Sequence, residues 1–169
     1  MRLTARVTFA AALACACVLA PVARAETARQ QERLPTLAAL QQAPGSSPRA
    51  SLLYATHCMG CHGGDGQGVA GKIPPLNQIV HFMRLPEGRI FLTRVPGASN
   101  SSLSDAELAD VLNWALIYFS PKASAGTWRP YTAEEVAATR RPSLSEVQAT
   151  RSALVRELAK SGPAPDERY

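Results

Sequence analysis

Residues 58–62 read Cys58-Met59-Gly60-Cys61-His62, and this stretch decides how the rest of the chain is interpreted. On a helical turn, side chains three residues apart share one face, so the two thiols are expected to lie side by side. The histidine follows the second cysteine directly and adds an imidazole at the same place. Five consecutive residues therefore bring together two sulfur atoms and an aromatic nitrogen.

This combination is what covalent attachment of a haem needs. Two thiols at this spacing reach the two vinyl groups of the porphyrin, and the imidazole after them reaches the iron. The motif therefore predicts one haem c, bound through thioethers at Cys58 and Cys61, with His62 as an axial iron ligand.

Three other uses of a cysteine pair fit less well. A structural zinc site has four ligands, usually with a second Cys pair or paired histidines. Beyond the motif the chain offers only His57, His81 and two cysteines in an N-terminal export signal. A thioredoxin-like redox pair needs a preceding strand in a βαβ context, which the pattern lacks. A disulfide between residues three apart is rarer still, so haem attachment is favoured.

The first 25 residues have the three-part layout of a secretory signal peptide. Two arginines precede an uncharged run over 7–23, and Ala23-Arg24-Ala25 places small residues three and one before a cut ahead of Glu26. A transmembrane anchor is the alternative, but the run is near the lower limit for crossing a bilayer. A lipid anchor at Cys15 is a minor alternative, because the residues before it match a lipobox poorly. The signal predicts export to the periplasm, with no transmembrane anchor after cleavage.

The charge balance argues against a nucleic-acid partner. The full chain has 18 basic and 13 acidic residues, a formal charge of +5. Cleavage after Ala25 removes three arginines and no acid, which leaves 15 basic and 13 acidic side chains and a net charge of +2. A balance that small lacks the basic footprint of a nucleic-acid-binding protein.

The exported chain divides into three segments. Residues 26–49 end in several Pro and Gly breakers and are interpreted as a leader or linker. Residues 50–120 are periodic and form the predicted haem domain. Residues 121–169 are predicted to form a helical C-terminal extension.

The haem domain is predicted to be all-α. Ser104 and Glu107 form a capping box at the start of a helix that Pro121 ends. Within it an apolar stripe recurs at helical spacing: Leu108, Val111, Leu112, Ala115, Leu116 and Phe119. Other helices are predicted over 50–57, 76–85 and 87–95, with a glycine-rich loop over 63–75. No stretch combines period-two alternation with the β-branched residues typical of a strand.

The extension carries weaker signals. Thr132 and Glu135 form a second capping box, which opens a helix to about Arg140, and a longer helix is predicted over Ser143–Ser161. The segment is rich in arginine, mixes both charge signs and has few bulky apolar residues. We interpret it as a surface hairpin packed on the haem domain, with a docking element as the alternative.

Residues 50–120 resemble a single-haem class I cytochrome c, and several features match in order. The aromatic four residues before the first haem cysteine is Tyr54, and Trp114 stands where the family packs an aromatic of the C-terminal helix against the N-terminal helix. The family's Asp-Gly-x-Gly loop appears in residues 64–68, and its Pro-x-Leu element appears as Pro74-Pro75-Leu76.

The resemblance implies roles for these residues. The Pro74 carbonyl would accept the Nδ1 proton of His62 and fix the tautomer of the imidazole. Leu76 would pack on the porphyrin, and Tyr54 and Trp114 would support the haem pocket by packing. The resemblance also implies an electron-transfer protein, not an enzyme, with no catalytic residue of its own.

The chain departs from the family at the sixth iron ligand. Family members usually place a methionine in the loop before the last helix, whereas residues 95–102 here contain neither methionine nor histidine. Met59 lies inside the haem motif and points away from the iron. Met83 is the candidate second axial ligand, His81 is another, and an open or water-occupied position is a further alternative.

These features predict a periplasmic cytochrome that carries single electrons through a covalently bound haem to or from a larger redox protein. One alternative is a ligand-binding haem protein with an open sixth position, acting as a sensor or a weak peroxidase. Another is the cytochrome subunit of a periplasmic dehydrogenase, with residues 121–169 as its docking arm.

Overall fold

The computed structural model describes residues 48–120 and 128–167. The predicted signal peptide, nearly all of the leader and the first residues of the extension lie outside the described residues. None of the helices in the described ranges is long and apolar enough to cross a membrane.

The described residues form seven α-helices and one 3₁₀ helix and contain no strand. In chain order these are α1 (Pro48–His57), α2 (Met59–His62), the 3₁₀ helix (Ile79–Arg84), α3 (Pro86–Arg94), α4 (Pro96–Ser99), α5 (Asp105–Phe119), α6 (Ala133–Thr139) and α7 (Val147–Ala159). One isolated bridge joins Val69 and Ile73 within the glycine-rich loop. The all-α prediction is confirmed.

Local sequence signals account for most helix starts. The Ser104 hydroxyl accepts from the Glu107 amide, and the Glu107 carboxylate accepts from the Ser104 amide at 3.0 Å, so the predicted capping box opens α5. Pro86 and Pro96 begin α3 and α4, since the first turn of a helix needs no amide hydrogen from its first residue. Pro96 follows the end of α3 and begins a short new helix.

Two predicted helices differ from the structure. The segment 76–85 is helical only over Ile79–Arg84, in 3₁₀ form, and α7 begins at Val147, four residues after the predicted start. At α6 the Thr132 hydroxyl accepts from the Glu135 amide, which is half of the predicted capping box. The other half is missing because the Glu135 carboxylate instead accepts two bonds from Arg89, at 2.7 and 2.8 Å.

The N-terminal and C-terminal helices of the haem domain, α1 and α5, pack through aromatic rings. The centroids of Tyr54 and Trp114 lie 5.0 Å apart, and both side chains are almost fully buried. Phe119 contacts both rings in tilted or edge-on geometry, at 5.3 and 5.6 Å. Aromatic pairs at these separations add packing energy beyond the area they bury.

The extension belongs to the core, which differs from the surface hairpin expected from its composition. Five of its apolar side chains are buried in the same cluster as the haem-domain core: Tyr131, Val136, Leu154, Val155 and Leu158. The side-chain amide of Asn113 on α5 exchanges two hydrogen bonds with the Tyr131 backbone, at 2.8 and 3.0 Å. A few apolar residues are enough to pack the extension, because nearly all of them face the haem-domain core.

We expect Leu158→Ala to destabilise the haem-loaded protein by about 2–5 kcal/mol, since the side chain is fully buried and its removal leaves a cavity. The measurement is guanidinium denaturation followed by circular dichroism. Ala159→Ser, at the exposed neighbour on the same helix, is the control and should cost less than about 0.5 kcal/mol. Equal midpoints for the two variants would contradict a core role for α7.

Candidate functional site

A cavity of about 540 Å³ lies against the Cys58–His62 motif. Both cysteines and the histidine of the motif line it. Most of the remaining lining is apolar and comes from the loop, the 3₁₀ helix, α3, α4, α5 and α7, including Ile73, Leu76, Ile79, Phe82, Phe91, Leu92, Val95, Leu108, Val111 and Leu112. The motif therefore opens onto an apolar space bounded by both the haem domain and the extension.

The imidazole of His62 is held by a backbone acceptor. Its Nδ1 lies 3.2 Å from the Pro74 carbonyl oxygen, and because a carbonyl only accepts, Nδ1 carries the proton. The Nε2 lone pair is then available to a metal. Burial lowers the pKa of His62, and the bond to Pro74 opposes this in part. The neutral imidazole, which is the form that binds iron, is thus favoured at neutral pH.

The two thiols differ in their surroundings. Cys58 is half-buried and Cys61 is exposed, and no disulfide joins them. Burial, with a smaller effect from Cys61, raises the pKa of the Cys58 thiol to about 11. Helix α2 starts directly after Cys58, and its single turn carries Cys61 and His62 onto the same cavity wall.

The glycine-rich loop returns the chain to the imidazole. Gly68 has φ +67°, and a Cβ there would lie 2.3 Å from the Ile73 carbonyl oxygen, so only glycine fits. The Gly68 amide donates to the His62 carbonyl, and the Leu76 amide donates to the Gly66 carbonyl. These bonds fold the loop back on itself, which brings the Pro-Pro-Leu element beside the motif.

The predicted supporting aromatics occupy different places. Tyr54 lines the cavity and donates a 2.6 Å hydrogen bond to the Gly63 carbonyl, which ties α1 to the end of the motif. Trp114 is fully buried and does not line the cavity. It packs on Tyr54 and stacks on Tyr118 at 4.6 Å, so it supports the wall from behind.

Leu76 lines the cavity, but the structure does not bring Met83 or His81 to it. In a 3₁₀ helix, side chains three residues apart are eclipsed, so Ile79 and Phe82 share the cavity face. Met83 is buried in the core, where its sulfur lies 3.6 Å from the Tyr131 hydroxyl oxygen.

Sequence reasoning missed the cavity residues of the extension. Val147, Gln148 and Arg151 of α7 line the cavity, together with Ser101 after α4. A signal was present: Arg151 occupies a position in the stripe formed by Val147, Leu154, Val155 and Leu158, where an apolar residue is expected. A charged residue in such a stripe indicates a buried polar partner or ligand.

The residues present fit a covalently bound haem. Two thiols and a neutral imidazole stand at one edge, and the rest of the space is walled mainly by aliphatic and aromatic side chains. A porphyrin face needs apolar contacts, and its iron needs a fixed nitrogen ligand. The donor set and the lining meet both needs.

Comparison with known proteins agrees with this geometry. A family model described as cytochrome c matches residues 48–83, which include the whole motif. A cytochrome c-552 of Thermus thermophilus is 31% identical over 129 residues, which cover 65% of this chain and 83% of that protein. A second Thermus thermophilus cytochrome c-552 is 30% identical over 115 residues, covering 57% and 87% of the two chains.

The chain belongs to the cytochrome c family. No solved structure matches it significantly. The predicted class I c-type cytochrome, its covalently attached haem c and its role as an electron-transfer protein are confirmed at the level of the family. The cytochrome differs from the sequence-based interpretation chiefly in how much of the cavity its extension supplies.

Replacing Cys58 and Cys61 together by Ala should abolish covalent haem, because no other cysteine in the described ranges lies beside the cavity. Haem staining of a denaturing gel measures this, and the expected result is complete loss of the stained band. Met59→Leu changes an exposed residue between the two thiols and should keep the band at full intensity. A stained band in the double variant would refute the assignment of the thioethers.

Proposed function

We propose that this cytochrome c carries single electrons in the periplasm between larger redox proteins, with thioethers at Cys58 and Cys61 and His62 as an axial ligand. The observation that carries the proposal is the position of the motif on the cavity. Cys61 and Met59, which lies two residues before it, are exposed, while His62 is half-buried. An attached porphyrin would therefore have its thioether edge near solvent and its iron inside the apolar space.

The haem supplies the one-electron couple of its iron. The chain's own residues hold the imidazole and exclude water. The Pro74 carbonyl accepts the Nδ1 proton of His62, which fixes the orientation of the ring. The apolar wall, formed on one side by Leu76 and Phe82, lowers the local dielectric and so contributes to the reduction potential.

The partner surface proposed here surrounds the exposed edge of the motif. Met59 is 39% exposed beside Cys61, and the rim of the cavity carries the exposed side chains of His57 and Lys72. A small apolar contact with a weakly basic rim suits a brief encounter with an acidic redox partner. A periplasmic dehydrogenase is one such partner, and the outward face of the extension is available to it.

The segment boundaries remain part of the proposal. Residues 1–25 act as the export signal, 26–49 as a leader, 50–120 as the haem domain and 121–169 as the extension. The burial of Val136 and Leu158 supports treating the extension as a completing part of the haem domain.

Expression of the full chain in a bacterium that matures c-type cytochromes should give a haem-stained protein in the periplasmic fraction, beginning at Glu26. Potentiometric titration of that protein should follow a Nernst curve for one electron. Deleting residues 2–25 is the control and should remove the protein from the periplasm. Haem-loaded protein confined to the cytoplasm, or still carrying Met1, would contradict the proposed location.

A further inference from the structure

We propose that Arg140, in the C-terminal extension, is a positioning residue of the haem site and contributes in this way to the reduction potential of the cytochrome. Its side chain holds residues 95–103, called here the 95–103 wall, against the cavity. The inference rests on the haem occupying that cavity, as proposed above. It adds a residue far from the motif to those that determine how readily the protein gives up an electron.

The 95–103 wall borders the cavity directly. Six of its residues line it: Val95, Pro96, Gly97, Ala98, Ser101 and Leu103. All of these are apolar apart from the hydroxyl of Ser101. A displacement of the wall therefore changes how closely apolar atoms surround a cofactor in the cavity, and how readily water reaches it.

The wall has little regular structure of its own to fix its shape. Helix α4 (Pro96–Ser99) is a single turn, and residues 100–104 belong to no helix or strand. The last four carbonyl groups of a helix have no partner inside it, so a helix of four residues depends on donors from outside. Bonds from another part of the chain are therefore needed to hold the wall in one position.

The guanidinium of Arg140 supplies these donors. One terminal nitrogen donates to the Leu103 carbonyl at 2.9 Å and pairs with the Asp105 carboxylate at 2.8 Å. The other lies 3.2–3.3 Å from three more carbonyl oxygens, those of Ala98, Ser99 and Ser101. The side chain is only 8% exposed. One buried fork of N–H groups therefore gathers carbonyls that are spread over six residues of the wall.

The backbone around Arg140 is fixed to the same part of the haem domain. The hydroxyl of Ser99, which is fully buried, donates to the Arg140 carbonyl at 2.5 Å. A few residues later, the Leu144 amide donates to the Arg94 carbonyl at 2.9 Å, and the Arg94 side chain donates to the Pro142 carbonyl at 2.8 Å. Arg140 is thus anchored at its backbone as well as at its side chain, which makes it a rigid link between the extension and the wall.

This link needs the shape of arginine as well as its charge. Lysine carries the same charge but places its three donors on one nitrogen, whereas the guanidinium spreads five over a rigid plane. Without the fork, several buried carbonyls lose their donors, which is costly unless the wall moves to let water reach them. A substitution at Arg140 is therefore expected to loosen the wall even where the positive charge is kept.

The position of the wall bears on the reduction potential because oxidation adds a positive charge to the haem. Water stabilises that charge better than apolar side chains do, so burial of the haem favours the reduced form. A loosened wall admits water and favours the ferric form. Loss of the Arg140 fork should therefore lower the reduction potential.

The first experiment is a potentiometric titration of the haem-loaded full chain. In Arg140→Lys and Arg140→Gln, the ratio of ferric to ferrous protein at a fixed potential should rise about tenfold, which corresponds to a midpoint lower by about 59 mV. Arg141→Gln is the matched control, since this neighbouring arginine is exposed and its side chain reaches only the Asn100 side chain, at 3.2 Å. The ratio should change by less than about twofold there.

Two results would overturn the proposal. If Arg140→Lys keeps the potential of the unchanged protein while Arg140→Gln lowers it, Arg140 acts through its charge and not by positioning the wall. The second result comes from hydrogen exchange of Arg140→Lys, in which the amides of 98–103 should exchange about tenfold faster while those of α1 stay within about twofold. Equal acceleration in both segments would mean that Arg140 stabilises the fold as a whole, and unchanged exchange in the wall would refute the link.

Ser99→Ala decides the matter if neither Arg140 variant folds. It removes the bond to the Arg140 carbonyl and leaves the guanidinium in place, so the ferric-to-ferrous ratio should rise by a smaller factor, about threefold. An unchanged ratio would refute the proposal. Haem staining and a one-electron Nernst curve in the unchanged protein test the proposed function separately. If both are found and the potentials of the variants do not move, the role of Arg140 fails and the carrier function stands.

Discussion

The packing of α1 against α5 is the constraint on which the rest of the structure depends. Tyr54 and Trp114 fix the angle between these helices, and α1 runs directly into Cys58. The direction of α1 therefore decides where the thiols and the imidazole of His62 face. The hydrogen bond from the Tyr54 hydroxyl to the Gly63 carbonyl also ties α1 to the chain just after the motif. One aromatic contact thus positions both the two cysteines and the imidazole that we propose as the haem-binding groups.

The extension supplies what the short haem domain lacks. A domain of about 70 residues buries a small core and leaves a cofactor partly uncovered. Helix α7 covers that side with Val147 and Arg151, while the ion pair of Arg89 with Glu135 ties α6 to α3. The same segment therefore stabilises the core and forms a wall of the cavity, which links folding of the extension to the environment of the haem.

Local features of the sequence identify the haem-binding motif and predict the main helices. The capping box at Ser104 and the spacing of the cysteines need only neighbouring residues, so they can be read directly. The position of Arg140 cannot be predicted in this way, because its hydrogen bonds reach residues 35 to 42 positions earlier in the chain. The orientation of Met83 depends on whether its segment is α or 3₁₀, a difference that decides which side chains share a face. The position of Arg140 and the orientation of Met83 both depend on tertiary packing, which a local sequence pattern does not show.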